Sequence, residues 1–264
     1  MSTDRNLNYL ARRLSRRCAL SKADLAAVEH LPHSVRHVNP NAYLIREGEP
    51  PRAVCSLLLE GMAFKHKLTA EGARQIISIH LPGDLLDLQH LFLNIADHSV
   101  QALTEIEVAE IDRKALQAIA LERPAIAQAL WIDGLIDASI CREWILNVGR
   151  RNARGKIAHI LCEIAVRMRA AELIDRPDFH LPVTQEQLGD ATGLTSVHVN
   201  RTLKSLGQDG LIDHSGRAIA IRDWEGIQKV GDFNPLYLHL DQVAPQLAGS
   251  VRTIFDADVE LHRK

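Results

Sequence analysis

The residues best suited to chemistry lie in two neighbouring runs, Thr184-Gln185-Glu186-Gln187-Leu188-Gly189 and Thr195-Ser196-Val197-His198-Val199-Asn200-Arg201-Thr202-Leu203-Lys204. In the second, Val199, Leu203 and Leu206 recur at steps of four and three, the inward stripe of an amphipathic helix. Ser196, Val197, Asn200, Arg201 and Lys204 then share the outward face. Amide and guanidinium groups match the edges of purines, and an aliphatic surface matches the thymine methyl. Thr184, His198 and Lys204 suit phosphate oxygens as well as bases, and Thr195 at the helix start completes the set. This chemistry is recognition, not bond-making. No Gly-Lys-Ser/Thr phosphate loop, nucleophile elbow or paired-carboxylate signature accompanies it, so an enzyme is disfavoured.

Metal chemistry has less support. Of thirteen histidines only His33 and His37 are spaced i, i+4, and they fall in a boundary segment next to Pro32. Cys18, Cys55, Cys141 and Cys162 are far apart without a Cys-x-x-Cys pair, which suggests neither a disulfide framework nor a zinc ribbon and leaves four thiols expected to be buried packing residues.

The elements that must position the outward row are legible around it. Thr184 with Gln187 forms a capping box, and the helix it opens stops at Gly193. Thr195 caps a second helix that ends at Gly207. Two short helices around a glycine turn make a helix-turn-helix. Beyond them, Gly210 to Ile221 reads as two strands about a tight turn, a wing. Upstream, Ser21 and Asp24 cap a short helix, and from about Val35 to Asp112 short apolar runs are broken by Gly48, Gly61, Gly72 and Gly83. That spacing predicts a small β sandwich or barrel with strands at 42–46, 54–59, 64–68, 75–80, 99–103 and 107–111.

Between the two halves, Trp131, Gly134, Ala138, Cys141, Ile145 and Val148 follow steps of three and four, a heptad seam. Ile132, Ile136, Ile140 and Trp144 form a second stripe. At 1.5 Å per residue the helix 124–149 spans about 39 Å. With two faces to bury, one is expected against the β half and the other against the same helix of a second copy.

The chain has 264 residues, 46% hydrophobic and 24% charged, with a net charge of −2, and is expected to fold as two units. Residues 150–222 hold eleven basic and eight acidic side chains, a modest positive excess around the helix-turn-helix. No apolar run approaches a membrane span and no signal-peptide core follows Arg5, Arg12, Arg13, Arg16 and Arg17, so a cytoplasmic location is expected.

From Val183 through Lys204 and on to Gly210-Leu211-Ile212 the sequence resembles the winged helix of Crp/Fnr transcription regulators. Pro82-Gly83-Asp84-Leu85 and Glu107-Val108-Ala109-Glu110-Ile111 are similar to that family's cyclic-nucleotide-binding-like β-roll, and the likeness covers roughly residues 25–223. The resemblance implies an α+β chain: an arm over 1–20, a β-roll sensor over 21–120, a dimerisation helix over 121–150, a winged helix-turn-helix over 151–223 and a tail over 224–264. In that tail Trp224, Phe233, Tyr237 and Leu240 would form an extra packing or partner surface. It implies double-stranded DNA and a second copy of the chain as partners, with RNA polymerase as a further one, and Gly83, Asp84 and Leu85 as the ligand pocket. The alternative is a ligand-binding regulatory subunit whose C-terminal helices contact protein.

Departures from the family pattern narrow the cofactor. Members that bind cyclic AMP use Gly-Glu-Leu followed by an Arg-Ser pair on the cyclic phosphate; here the start is Gly83-Asp84-Leu85, and no Arg or Lys occurs from Gln75 to Asp112. Without a guanidinium the bidentate clamp is missing, and His90 and His98 compensate only in part, so cyclic AMP control is disfavoured. Oxygen-sensing members hold an iron–sulfur cluster on clustered N-terminal cysteines, and only Cys18 lies near that end, so a cluster is disfavoured too. A haem role has no motif behind it, and the cofactor stays undetermined. In the reading helix, Val197 replaces the glutamate of several relatives, whereas Arg201 matches the base-reading arginine.

Overall fold

The computed structural model describes residues 6–174, 181–215 and 218–240. Residues 1–20, expected as an arm, contain a helix, α1 (Asn8–Arg17), whose Leu10, Ala11 and Leu14 are buried. Its hydrophobic side is narrow and flanked by arginines, which hides it from a search for apolar runs. Next comes α2 (Lys22–Glu29), where the Ser21 side chain accepts from the Asp24 amide and Asp24 returns the bond, as the capping box predicted.

The β half contains β1 (His33–Val38), β2 (Tyr43–Ile45), β3 (Val54–Glu60), β4 (Ala63–Leu68), β5 (Arg74–His80), β6 (Ser99–Ala102) and β7 (Ile106–Asp112). They form two antiparallel sheets, ordered β1-β7-β3 and β2-β6-β4-β5. Six of the seven match the expected strands within a residue or two. The seventh, β1, is missed because His33-Ser34-Val35-Arg36-His37-Val38 presents mostly polar side chains to solvent. Between the sheets lies an apolar layer including Leu44, Leu58, Val100 and Val108. The alternation of β3 then turns Cys55, Leu57 and Leu59 to the other side, against Leu10 and Leu14.

Two helices close the β half, α3 (Arg113–Glu122) and α4 (Pro124–Arg150). Pro124 opens α4 where a missing amide costs nothing. The first turns of α4 pack Ile126, Ala129 and Leu130 into the α1 core, and its later turns place Ile136, Ile140 and Trp144 against α5 (Ala153–Ala170). Asn152 caps α5, its side chain accepting from the Gly155 amide at 2.9 Å. There follow α6 (Gln185–Thr192), α7 (Ser196–Gln208), the hairpin β8 (Ile212–Ser215) and β9 (Ala218–Ile221), and α8 (Trp224–Gly231).

Among the described residues no helix is long and apolar enough to cross a membrane. The thiols are not uniformly buried as expected: Cys55 and Cys162 are, Cys18 is half-exposed and Cys141 lies on the exposed face of α4. A heptad position facing away from the chain's own core has nothing among the described residues to cover it.

Candidate nucleic-acid interface and its link to the β-roll

The turn between α6 and α7 is built tightly. Thr184 accepts from the Gln187 amide at 3.1 Å, while the Thr184 amide donates to Gln187 Oε1 at 2.9 Å. Gly193 ends α6 in the left-handed region at φ 67°, the position that favours glycine. A Cβ on Gly189 would lie 2.5 Å from the Leu194 carbonyl oxygen, so only glycine lets the turn close this far. The Thr195 hydroxyl then accepts from the His198 amide and starts α7 in a fixed direction.

Along α7, Val199, Thr202, Leu203 and Leu206 are buried, and Thr195, Ser196, Val197, His198, Arg201 and Lys204 are exposed. Val197 is 70% exposed, a large cost for an aliphatic side chain with no cover among the described residues. Asn200 is half-buried because its amide donates to Gln185 Oε1 at 3.1 Å, which ties the reading face to α6. Arg201 and Lys204 have no ion-pair partner among the described residues. At the far end Arg154 of α5 holds Ser205 and donates to Asp209 at 2.5 Å, so this arginine orients α7. The hairpin pairs Ile212 with Ile221 and Asp213 with Ala220. Residues 216–217, between the two strands, lie outside the described residues.

The seam of α4 separates from its second stripe. Ile136, Ile140 and Trp144 are buried and Ile132 is half-buried, whereas Trp131, Ala138, Cys141 and Ile145 are exposed and Gly134 and Val148 half-buried. Leu135, 61% exposed, belongs to the same bare face and was missed because it falls beside Gly134 in the repeat.

A buried polar chain joins the β-roll to the helices. Arg13 pairs with Asp84 and, at 2.8 Å, with Asp133, which also accepts from Arg17 at 3.0 Å. Arg167 donates to Asp84 at 3.0 Å and to Glu163 at 3.3 Å. Glu163 accepts from Trp144 at 3.0 Å and from Tyr237 at 2.8 Å, and the Tyr237 hydroxyl lies 3.1 Å from His159. The residues beyond the wing are therefore part of the core: Phe233 and Tyr237 both pack on the His159 ring.

This chain revises the expected ligand pocket. Burial pushes the Asp84 carboxyl up, but Arg13, His80 and Arg167 together hold it well below the usual carboxylate range. A carboxylate so engaged is committed to structure. Leu85 is buried and bridges to Leu57 in the sheet, while Gly83 and Asp84 border a cavity that faces α1 and α5.

Inside the roll, polar side chains converge that the sequence did not single out. Lys65, opposite Ser78 and Val100 in the sheet, adds positive charge near His80, His90, His98 and Asp87. Burial first, then Lys65, push His98 down to about 4. Burial pushes Asp87 up to about 7, even though Ser56 donates its amide to it at 2.9 Å. Both ring nitrogens of His90 lack a partner. The positive charge these groups share thus comes from the Lys65 ammonium on β4, at the register shift between Lys65 and His66, and not from residues 75–112, which hold no Arg or Lys.

A two-sheet roll, a long helix with one bare face and a helix-turn-helix with an exposed basic row define a DNA-binding transcription regulator. Residues 35–123 match the family model of the cyclic nucleotide-binding domain and residues 155–230 that of the Crp-like helix-turn-helix domain. Over 193 residues the chain is 30% identical to the transcriptional activatory protein AadR of Rhodopseudomonas palustris, a match covering 73% of this chain and 79% of that one. The chain belongs to the Crp/Fnr family of transcription regulators. It is also 29% identical over 214 residues to the transcriptional activator protein FnrL of Cereibacter sphaeroides, covering 79% and 85% of the two chains. The solved structure of FixK2 from Bradyrhizobium japonicum superposes with a TM-score of 0.69 at 25% identity, covering 76% of this chain and 98% of that one.

Proposed function

We propose that this regulator binds operator DNA as a homodimer, reads bases with α7 and is controlled by a signal received in the β-roll. The carrying observation is the outward row of α7: Val197, Arg201 and Lys204 are exposed on a helix whose start is fixed by Thr195 and whose end is held by Arg154. Arg201 reads a guanine through two donors, Val197 meets a thymine methyl, and Asn200 and Ser196 add polar contacts to base edges. Thr184, Thr195, His198 and Lys204 hold phosphates and set the register.

The bare face of α4, with Trp131, Ala138, Cys141 and Ile145 exposed, supports pairing with the same helix of a second copy. The division of labour follows the chain: a sensing unit over 21–120, α4 as the joint and a DNA-binding unit over 151–223, acting in the cytoplasm with RNA polymerase as the downstream partner and without catalysis of its own. The inducing signal is something other than cyclic AMP, because Lys65 offers a single point charge where a bidentate fork is required.

Selection of bound sequences from random DNA tests the reading. Recovery of a two-fold symmetric sequence is expected; failure to retain any duplex while a protein partner is captured through the C-terminal helices would favour a regulatory subunit.

A further inference from the structure

A cavity of about 290 Å³ opens outside the β-roll, where α1, the turn after β5, α4 and α5 meet. Its lining is divided. Six arginines and two carboxylates border it, while Ile136, Ile140 and Leu238 supply an apolar wall. Each carboxylate is shared: Asp84 between Arg13 and Arg167, and Glu172 between Arg12 and Arg16. Guanidinium groups carry five N–H donors each and no acceptor, so two of them on one carboxylate leave donors to spare.

The two halves of the cavity ask for different parts of one ligand. Arg16 is held by Glu172 at 2.8 Å and by the Ala170 carbonyl, whereas Arg12 reaches Glu172 only at 3.9 Å and is 72% exposed, so Arg12 can turn toward an incoming anion at little cost while Arg16 stays in place beside it. Arg13, Arg17 and Arg167 are held in place by buried acids and give the cavity a fixed cationic floor. A purely inorganic anion would leave the Ile136, Ile140 and Leu238 wall wet, and a purely apolar molecule would strip water from guanidinium groups without replacing it. At this volume, near the lower end for small-molecule sites, the occupant has roughly ten to fifteen heavy atoms.

We propose that this cavity binds an amphipathic organic anion, a carboxylate or phosphate monoester carrying an apolar body. The head would rest on Arg12 and Arg16 and the body on Ile136, Ile140 and Leu238. Such a ligand would touch the Gly83–Asp84 turn of the roll, the dimer-facing helix and the first helix of the DNA-binding unit at once. Its binding is measured without DNA and so stands or falls separately from the operator reading.

The test titrates the full chain with decanoate and with decyl phosphate, below their micelle concentrations, using calorimetry and thermal melting. Acetate, inorganic phosphate and 1-decanol serve as controls. One saturable site per chain is expected for decanoate or decyl phosphate, the tighter of the two naming the headgroup, and at least tenfold weaker binding of each control. The variant Arg12→Ala alters an exposed side chain; it should melt like the parent when unliganded and bind the anion at least tenfold more weakly. No saturable binding of either anion, equal affinity for 1-decanol, or parental affinity in Arg12→Ala would overturn the assignment.

Discussion

Arg201 and Lys204 stand three residues apart on α7, both exposed and both without ion pairs among the described residues, yet their chemistry separates them. A planar fork discriminates one base by about 1–3 kcal/mol, whereas an ammonium on a phosphate adds affinity that salt screens. Arg201→Ala should therefore relax preference at one position of each half-site, and Lys204→Ala should weaken all sequences alike and lower the salt slope by about one. Binding to a panel of single-base operator changes checks both; full base preference in Arg201→Ala would remove Arg201 from the reading set. These side chains are legible in sequence because an amphipathic helix sorts them within one turn. Arg13 and Arg167 are not, since they reach Asp84 across 71 and 83 positions. Removing that shared acid in Asp84→Ala takes one of two carboxylate partners from each of two buried guanidiniums, which keep Asp133 and Glu163, and should cost about 3 kcal/mol, the lower end for a broken buried pair, in denaturant melts. Asp87 behaves in the opposite sense. Its carboxyl is raised from 3.8 to about 7, so the folded state favours the proton and the stability it lends is full below pH 4 and lost as pH rises through 7. Asp87→Asn keeps the oxygen that accepts from Ser56 and should be more stable than the parent at pH 8, by about 1 kcal/mol or more, with a flatter profile between pH 4 and 7. An unchanged profile in urea melts would show that Asp87 is ionised in the fold.

Elements were readable wherever one period dominated. The strands of the roll alternate between glycine turns, α6 and α7 carry their own caps, and the two stripes of α4 differ in burial as their spacing predicts. α1 escaped because its polar side is not a solvated face: Arg13 and Arg17 are turned inward by Asp84 and Asp133, contacts that only the fold creates. The segment after the wing escaped for a related reason, since Tyr237 and Phe233 find His159 and Glu163 on α5 and no local pattern encodes that pairing. The bare face of α4 carries its own prediction. A charge at Ala138 or Ile145 would be buried unpaired between two copies, while in a single chain both positions are exposed and tolerate it. Ala138→Asp and Ile145→Glu should hence yield folded, largely monomeric protein with operator affinity reduced at least a hundredfold. Sedimentation at equilibrium decides: intact dimers in both variants would place the interface elsewhere.

At the scale of the whole molecule, one chain presents one reading helix, and its geometry sets what a pair can recognise. Arg154 fixes α7 to α5, and Trp144 on α4 donates to Glu163 on α5, so the direction of the reading helix is tied to the helix expected to pair. Two copies joined along α4 would then present two α7 helices in a fixed relation. Duplex DNA repeats its major groove every 10 to 10.5 base pairs, about 34–36 Å, so the half-sites should lie one such turn, or a multiple, apart from centre to centre. Five extra base pairs would turn one half-site to the opposite side of the duplex, beyond the reach of the second helix without twisting either the DNA or the joint. Affinity for that spaced operator should fall at least tenfold, toward that of a single half-site, whereas the monomeric Ile145→Glu protein should bind both operators equally. Gel-shift titrations at constant salt measure the four combinations. If the parent protein binds the operator with five inserted base pairs as tightly as the original, the two reading helices are not held in register by α4, and the rigid-pair account of recognition is wrong.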